Sequence, residues 1–187
     1  MKIDIEDKNI QEIFDIEQYC KDKNINTKKV KELYCQDNHI IELKGLEKLV
    51  NLEILDCSYN EIKALKGLDK LVNLVWLNCS YNEIKALNGL DKLVNLVWLN
   101  CSYNEIANLN LNKLINLKCL YCSYNEITEL KLNKLTNLKY LYCDNNKLTE
   151  LKGLDKLVNL EVLDCSSNKI TELEGLDKLV NLKELKK

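Results

Sequence analysis

A repeat of 21 or 22 residues fills the chain from about residue 27 to its end, and it constrains the fold more than any other feature. The unit 49–70 reads LVNLEILDCSYNEIKALKGLDK, and the next unit, 71–92, reads LVNLVWLNCSYNEIKALNGLDK. Self-similarity at such a period is typical of repeat proteins in which each unit is one coil and buries its apolar face only against its neighbours. The sequence therefore predicts a solenoid of about seven and a half repeats over residues 27–187.

Cysteine occurs at the same place in every complete unit. In the stretch 53–57, the alternation of a strand puts Leu55 and Cys57 on one face and Ile54 and Asp56 on the other. The cysteines at this inward position are Cys35, Cys57, Cys79, Cys101, Cys122, Cys143 and Cys165. We predict a ladder of buried, reduced thiols that behave as small apolar side chains and hold no metal or cofactor. Disulfides along it would be strained, because parallel strands lie about 4.8 Å apart and a disulfide brings two β-carbons to about 3.5–4.5 Å.

A ladder of asparagines follows the cysteines at the turn that leaves each strand. Its members are Asn38, Asn60, Asn82, Asn104, Asn125, Asn146 and Asn168. An amide side chain carries both donors and an acceptor, so it can satisfy backbone groups that have no partner in a sheet. We predict that these asparagines are structural.

The unit pattern L-x-x-L-x-C-x-x-N-x-[IL] resembles the leucine-rich repeat, with cysteine in the place of its third leucine. The phrases LVNLEVLD and EGLDKLVNLKEL are similar to the branch that contains the protein phosphatase type one regulatory subunit and the bacterial internalins. This resemblance implies a curved, right-handed solenoid of the α/β repeat class. Its parallel β-sheet would lie on the concave side, and short 3₁₀ or turn segments would lie on the convex side.

Residues 1–26 lie outside the repeat, and we predict that they form an N-terminal helical cap on the solenoid of residues 27–187, within one structural unit. Ile10, Ile13 and Phe14 recur near helical spacing in a stretch that begins at Asp7 or Asn9 and ends at Cys20. Asn9 and Glu12 fit a capping box at the start of this helix.

Composition narrows the classes of partner. The 27 cationic side chains are all lysine, the acidic side chains number 29, and the net charge of −2 gives no basic field for nucleic acid or an anionic membrane. The N-terminus has no apolar stretch of the secretory kind, and no run of 18 apolar residues could cross a bilayer. The sequence predicts a cytoplasmic protein that contacts neither membrane nor nucleic acid.

No catalytic constellation is present in the sequence. The single histidine, His39, takes a repeat position that glutamate or lysine holds elsewhere, which is typical of a solvated side chain. An enzyme that uses outward carboxylates such as Asp56 and Asp144 is an alternative, but spacing alone selects no pair. We predict that the protein has no catalytic residues and is not an enzyme.

Aromatic side chains are concentrated at outward positions of the middle units, and they form the candidate partner-binding site. The predicted site residues are Trp76, Trp98, Tyr140, Tyr121, Tyr142, Tyr81, Tyr103, Asn78 and Asn100. An apolar patch rimmed by charge is typical of an interaction surface, and Trp and Tyr are enriched in binding hot spots. The alternative is that these aromatic rings stack on each other and only stiffen the sheet.

The sequence thus predicts a non-enzymatic scaffold that binds a protein partner of unknown identity through an aromatic-rich concave face. One alternative function is a regulatory subunit of a protein phosphatase. Another is a structural protein that forms homo-oligomers through its C-terminal coil, where Leu179, Leu182 and Leu185 have only partial cover.

Overall fold

Leucine at the centre of each short strand determines how the coils stack. A computed structural model describes residues 1–187 and contains a parallel sheet of nine three-residue strands. In spatial order these are β1 (Lys2–Asp4), β3 (Glu32–Tyr34), β5 (Ile54–Asp56), β6 (Trp76–Asn78), β7 (Trp98–Asn100), β8 (Cys119–Tyr121), β9 (Tyr140–Tyr142), β10 (Val162–Asp164) and β11 (Glu184–Lys186). We call the outward side of this sheet the concave face. The predicted parallel solenoid is confirmed.

The register of the sheet runs through the repeat without a shift. Leu55 pairs with Leu77, and Leu77 pairs with Leu99, and all three side chains are fully buried. These leucines and the ladder cysteines belong to one continuous hydrophobic core along the solenoid. No coil could bury such residues alone, so the core depends on the stacking of neighbours.

The cysteine ladder is inward and buried, as predicted. Burial raises the pKa of the Cys101 thiol to about 12 and that of Cys165 to about 11. The Cys35 thiol donates to the carbonyl of Asp56 on the next strand at 3.3 Å. All nine cysteines are free thiols. A buried thiol with a raised pKa is a poor nucleophile, because the thiolate is the reactive form.

The asparagine ladder joins successive coils through backbone groups. Asn82 donates from its amide nitrogen to the carbonyls of Cys57, Cys79 and Ser80 at 2.9–3.2 Å. Its amide oxygen accepts from the backbone N–H of Ile62 in the preceding coil at 2.9 Å. The predicted structural role of these asparagines is confirmed.

Short 3₁₀ helices lie on the convex side, as the resemblance implied. They comprise Leu46–Lys48, Leu68–Lys70, Leu90–Lys92, Leu154–Lys156 and Leu176–Lys178, and a sixth, Thr27–Lys29, precedes the first of these units. A glycine in the left-handed region comes directly before each of the five. A β-carbon on Gly67 would lie 2.7 Å from the β-carbon of Glu47, so close stacking as well as the positive φ favours glycine there. The two 21-residue units lack both the glycine and the 3₁₀ helix.

The predicted helix over residues 9–20 is wrong. Residues 11–15 instead form strand β2 (Gln11–Asp15), which pairs in parallel with β4 (His39–Lys44), and the helix α1 covers only Ile16–Asp22. Asp15, and not Asn9, caps this helix by accepting from the backbone N–H of Gln18 at 3.0 Å. Within β2, Phe14 is buried and Ile13 is exposed, whereas the predicted helix would put both on one apolar face.

The N-terminal segment extends the nine-stranded sheet. Strand β1 pairs with β3, and Ile5 donates its backbone N–H to the carbonyl of Tyr34 at 2.9 Å. Residues 1–26 thus contribute β1 to the nine-stranded sheet, β2 to a separate two-stranded sheet, and the helix α1. None of the helices of the molecule has the length and apolar content needed to span a membrane.

Candidate partner-binding face

The two tryptophans lie side by side on the concave face. Trp76 and Trp98 are register partners on β6 and β7, and their rings stack with centroids 4.4 Å apart and planes 8° from parallel. Both side chains are half-buried. Because the rings stand on neighbouring strands and cover each other, their outer edges rather than their shared faces meet solvent. The same row continues with Cys119 and Tyr140, both half-buried.

The next row of outward positions changes from polar to aromatic along the solenoid. Asn78 and Asn100 use their amide oxygens to accept from the backbone N–H groups of Ser80 and Ser102, at 3.2 and 3.0 Å. These contacts hold the two asparagines against the sheet. The following members, Tyr121 and Tyr142, stack with centroids 4.9 Å apart.

Trp98 joins the two rows. Its ring lies 5.5 Å from that of Tyr121 at an interplanar angle of 44°. The concave face therefore carries one connected aromatic cluster of Trp76, Trp98, Tyr121 and Tyr142. Tyr140 lies beside this cluster without a stacked partner.

A third aromatic row borders the concave face where the strands end. Tyr59, Tyr81, Tyr103 and Tyr124 stack in succession, with centroids 4.1–4.3 Å apart and planes within 10° of parallel. Tyr81 and Tyr103 belong to the predicted site, whereas Tyr59 and Tyr124 do not, and the four side chains are 38–50% exposed. All four have φ of +52 to +55°, a conformation that costs an ordinary residue about 1–2 kcal/mol. The continuous stack offsets part of this cost.

Charged side chains flank the aromatic cluster on the C-terminal side. Glu161 accepts from the ammonium groups of Lys139 at 2.8 Å and Lys183 at 2.6 Å. These two hydrogen bonds lower the pKa of Glu161 to about 2. The carboxylate therefore stays ionised and bridges three neighbouring coils.

The carboxylates considered for catalysis take part in local hydrogen bonds. Asp56 accepts from the backbone and hydroxyl of Ser58 at 3.0 and 2.6 Å, and Asp144 accepts from the Ser123 hydroxyl and from the Asn145 amide. His39 is exposed and contacts Glu61 at 3.0 Å. These contacts link neighbouring residues or coils, and they account for the positions of Asp56, Asp144 and His39 by local structure.

Cys119 is the only cysteine that is not fully inside the molecule. It is half-buried on the concave face between its register partners Trp98 and Tyr140. Burial raises the pKa of the Cys119 thiol, while Lys118 and Lys139 act in the opposite direction.

Sequence reasoning did not include Tyr34 and Ile54 in the candidate binding site. They line a recess of about 410 Å³ on the concave face together with Glu53, Val75 and Trp76. The available signal was the size of residue 54, because isoleucine stands there in a row that continues with two tryptophans.

Comparisons with known proteins agree with this architecture. The family model described as leucine rich repeats, in two copies, matches residues 28–70, 115–156 and 158–186. No curated protein matches the chain. Among solved structures, internalin C2 of Listeria monocytogenes is 26% identical, with all of this chain aligned to 80% of that one and a TM-score of 0.86. InlF, an internalin of the same organism, is 28% identical over 83% of this chain and 47% of its own, with a TM-score of 0.77.

A third solved structure shares the distinctive cysteine feature. It is the functional domain of InlJ from Listeria monocytogenes, which includes a cysteine ladder. It is 26% identical over 97% of this chain and 47% of that one, with a TM-score of 0.50. The chain spans less than half the length of the InlF and InlJ structures.

Stacked coils with a parallel sheet on one side define a repeat solenoid of the protein-interaction type. Since the family model covers more than half of the chain, the protein belongs to the leucine-rich-repeat family. Its predicted similarity to the bacterial internalins is confirmed. The internalin-like leucine-rich-repeat fold is typical of proteins that bind other proteins.

Proposed function

We propose that this protein is a non-enzymatic scaffold that binds a partner protein on its concave face. The observation that carries the proposal is the connected aromatic cluster on β6 to β9, with the unstacked ring of Tyr140 beside it. Tryptophan and tyrosine supply large contact areas at a low entropic cost, since each has only two side-chain torsions.

The stacking of the rings supports binding rather than competing with it. Rings that are already held by their neighbours lose little freedom when a partner covers their outer edges, and a pre-organised surface therefore binds more tightly. The half-buried Tyr140 and the exposed Tyr81 and Tyr103 enlarge the surface on both sides of the cluster. The partner would cover several coils at once, as a solenoid surface allows.

The proposal assigns no catalytic residue, and it includes a cytoplasmic location. The nine free thiols, eight of them buried, suit a compartment that keeps cysteines reduced.

Tyr140→Ala is the variant that tests the proposal best, because Tyr140 has no stacked partner and its loss leaves the aromatic cluster intact. We expect the affinity for a partner isolated with the wild-type protein to fall by about 30-fold, the effect of losing a hot spot worth about 2 kcal/mol. The free energy of unfolding should change by less than about 1 kcal/mol.

The matched control is Ile115→Ala, which removes an apolar side chain that is 53% exposed outside the concave face. It should leave the affinity unchanged, as measured by calorimetry or surface plasmon resonance. If Tyr140→Ala binds as tightly as the wild-type protein while Ile115→Ala does not, the partner uses another surface and the concave proposal fails.

A further inference from the structure

The row of tryptophans ends at β6, because the neighbouring strand β5 carries Ile54 at the same position. Trp76 is the register partner of Trp98 on one side and of Ile54 on the other. One face of the Trp76 ring is covered by Trp98 at 4.4 Å. The opposite face stands above the smaller Ile54, and this step in side-chain size opens the recess of about 410 Å³.

The recess has an aromatic wall on its other side. Tyr34 lies on β3, and the ammonium group of Lys2, on β1, is 4.4 Å from the centre of its ring. Because β1 and β5 flank β3 on opposite sides, the ring face turned towards β5 lines the recess. Ile54 and Val75 complete an apolar floor between the two aromatic walls.

Carboxylates outnumber cations around this recess. Glu53 is paired with Lys31 at 2.5 Å, and Asp4 is paired with Lys2 at 2.9 Å. Two further carboxylates have no ion pair: Glu32, the register partner of Ile54, and Asp56, the register partner of Tyr34. These four carboxylates and two lysines together carry a net charge of −2, which favours a cationic occupant.

We propose that the recess binds the guanidinium group of an arginine side chain from the partner protein. A planar cation fits on the free face of Trp76, where the ring quadrupole attracts it, and the methylene stem packs on Ile54 and Val75. Glu32 and Asp56 stand at register positions beside this lining, and Asp56 already accepts from Ser58 and, through Oδ2, from the Asn78 amide at 3.3 Å. Glu32 and the remaining acceptor sites of Asp56 Oδ2 are there for the forked donors of the guanidinium, a geometry that the compact lysine ammonium does not match.

The arginine has to come from outside these 187 residues. All 27 cationic side chains among them are lysine, so neither a contact within this stretch nor a second copy of it can supply a guanidinium. This inference deepens the proposed function and rests on it, since the recess continues the concave aromatic surface and would hold one anchoring residue of the same partner.

Peptide titration tests the recess without the partner. The probes are acetyl-Gly-Arg-Gly-amide and the same peptide with citrulline, a neutral analogue of arginine with nearly the same shape. The readout is the pair of indole N–H resonances, which belong to the only two tryptophans. We expect the arginine peptide to shift the Trp76 resonance saturably, to move that of Trp98 less, and to bind about tenfold more tightly than the citrulline peptide.

Two variants identify the recess as the place of binding. Ile54→Trp fills it with the residue that the next two units carry, and its matched control is Val162→Trp at the far end of the same row. Asp56→Asn removes one charge and copies the residue found at Asn78 and Asn100. We expect Ile54→Trp to abolish the shift, Asp56→Asn to weaken binding severalfold, and Val162→Trp to bind like the wild-type protein.

The outcomes separate this inference from the proposed function. Absence of a saturable shift, equal binding of the citrulline peptide, or tighter binding of acetyl-Gly-Trp-Gly-amide would overturn the guanidinium site. If partner binding were lost in Tyr140→Ala but unchanged in Ile54→Trp, the concave scaffold would stand and the recess would not be its anchor. If Tyr140→Ala kept full affinity while the arginine peptide still bound at Trp76, the recess would stand and the wider concave proposal would fail.

Discussion

Replacing the stacked tryptophans with alanine measures how much the aromatic cluster contributes to stability. Trp98 has two aromatic neighbours, Trp76 at 4.4 Å and Tyr121 at 5.5 Å, whereas Trp76 has only Trp98. An aromatic pair contributes about 0.5–1.5 kcal/mol beyond the burial of its surface. We therefore expect Trp98→Ala to lose about 1–3 kcal/mol of aromatic interaction, and Trp76→Ala about half of that.

Urea unfolding followed by far-UV circular dichroism gives these free energies, and the double variant closes a mutant cycle. The coupling between positions 76 and 98 should be about 0.5–1.5 kcal/mol. The control cycle combines Trp76→Ala with Val162→Ala, which lies four strands away at about 19 Å and should be additive. A coupling between the tryptophans below about 0.3 kcal/mol would refute the stack as a source of stability.

Three further predictions concern the core, the thiols and the charged bridge. Leu141→Ala should cost about 2–5 kcal/mol of unfolding free energy, because the leucine is fully buried between coils; a cost below 1 kcal/mol would mean that the core is loosely packed. In the native protein a thiol reagent should modify Cys119 before any ladder cysteine, by mass spectrometry, and rapid modification of Cys101 would contradict its burial. Because the pKa of Glu161 is lowered, the ionised carboxylate stabilises the fold at pH values above its ordinary pKa near 4.5, and this stability is lost as the pH falls towards about 2. Glu161→Gln should remove that part of the acid dependence of the melting temperature. An unchanged acid dependence would exclude the bridge.

The solenoid could be predicted because its signal is repeated in every unit. A single strand of three residues such as Leu55 and its neighbours carries little information, but the same alternation recurs at a spacing of 21 or 22 residues and averages out local ambiguity. The N-terminal segment occurs once and has no such support. Ile10, Ile13 and Phe14 fit a helical spacing, while Phe14 and Ile16 fit the alternation of a strand, and only the pairing of β2 with β4 decides between them.

The aromatic positions could be predicted, but their conformation could not. The backbone at Tyr59, Tyr81, Tyr103 and Tyr124 has a positive φ that sequence reasoning did not foresee. A partial signal was present, because the equivalent positions in three other units are Asp37, Asn145 and Ser167, and the first two residue types tolerate the left-handed region. Stacking depends on side-chain torsions as well as on register, and no pattern of single residues specifies those torsions.

Under the proposed function, the specificity for a partner depends on the positions where the units differ. The repeated leucines and cysteines form the core, and the repeated asparagines form hydrogen bonds with the backbone. Because these residues are the same in nearly every coil, they cannot distinguish one partner from another. The concave row runs Glu32, Ile54, Trp76, Trp98, Cys119, Tyr140, Val162 and Glu184. Each change of size or charge along this row creates a step between neighbouring strands about 4.8 Å apart, which is close to the width of one side chain. The change from Ile54 to Trp76 leaves an aromatic face uncovered above a recess. A partner that lies along this row would fill the recess with a single side chain.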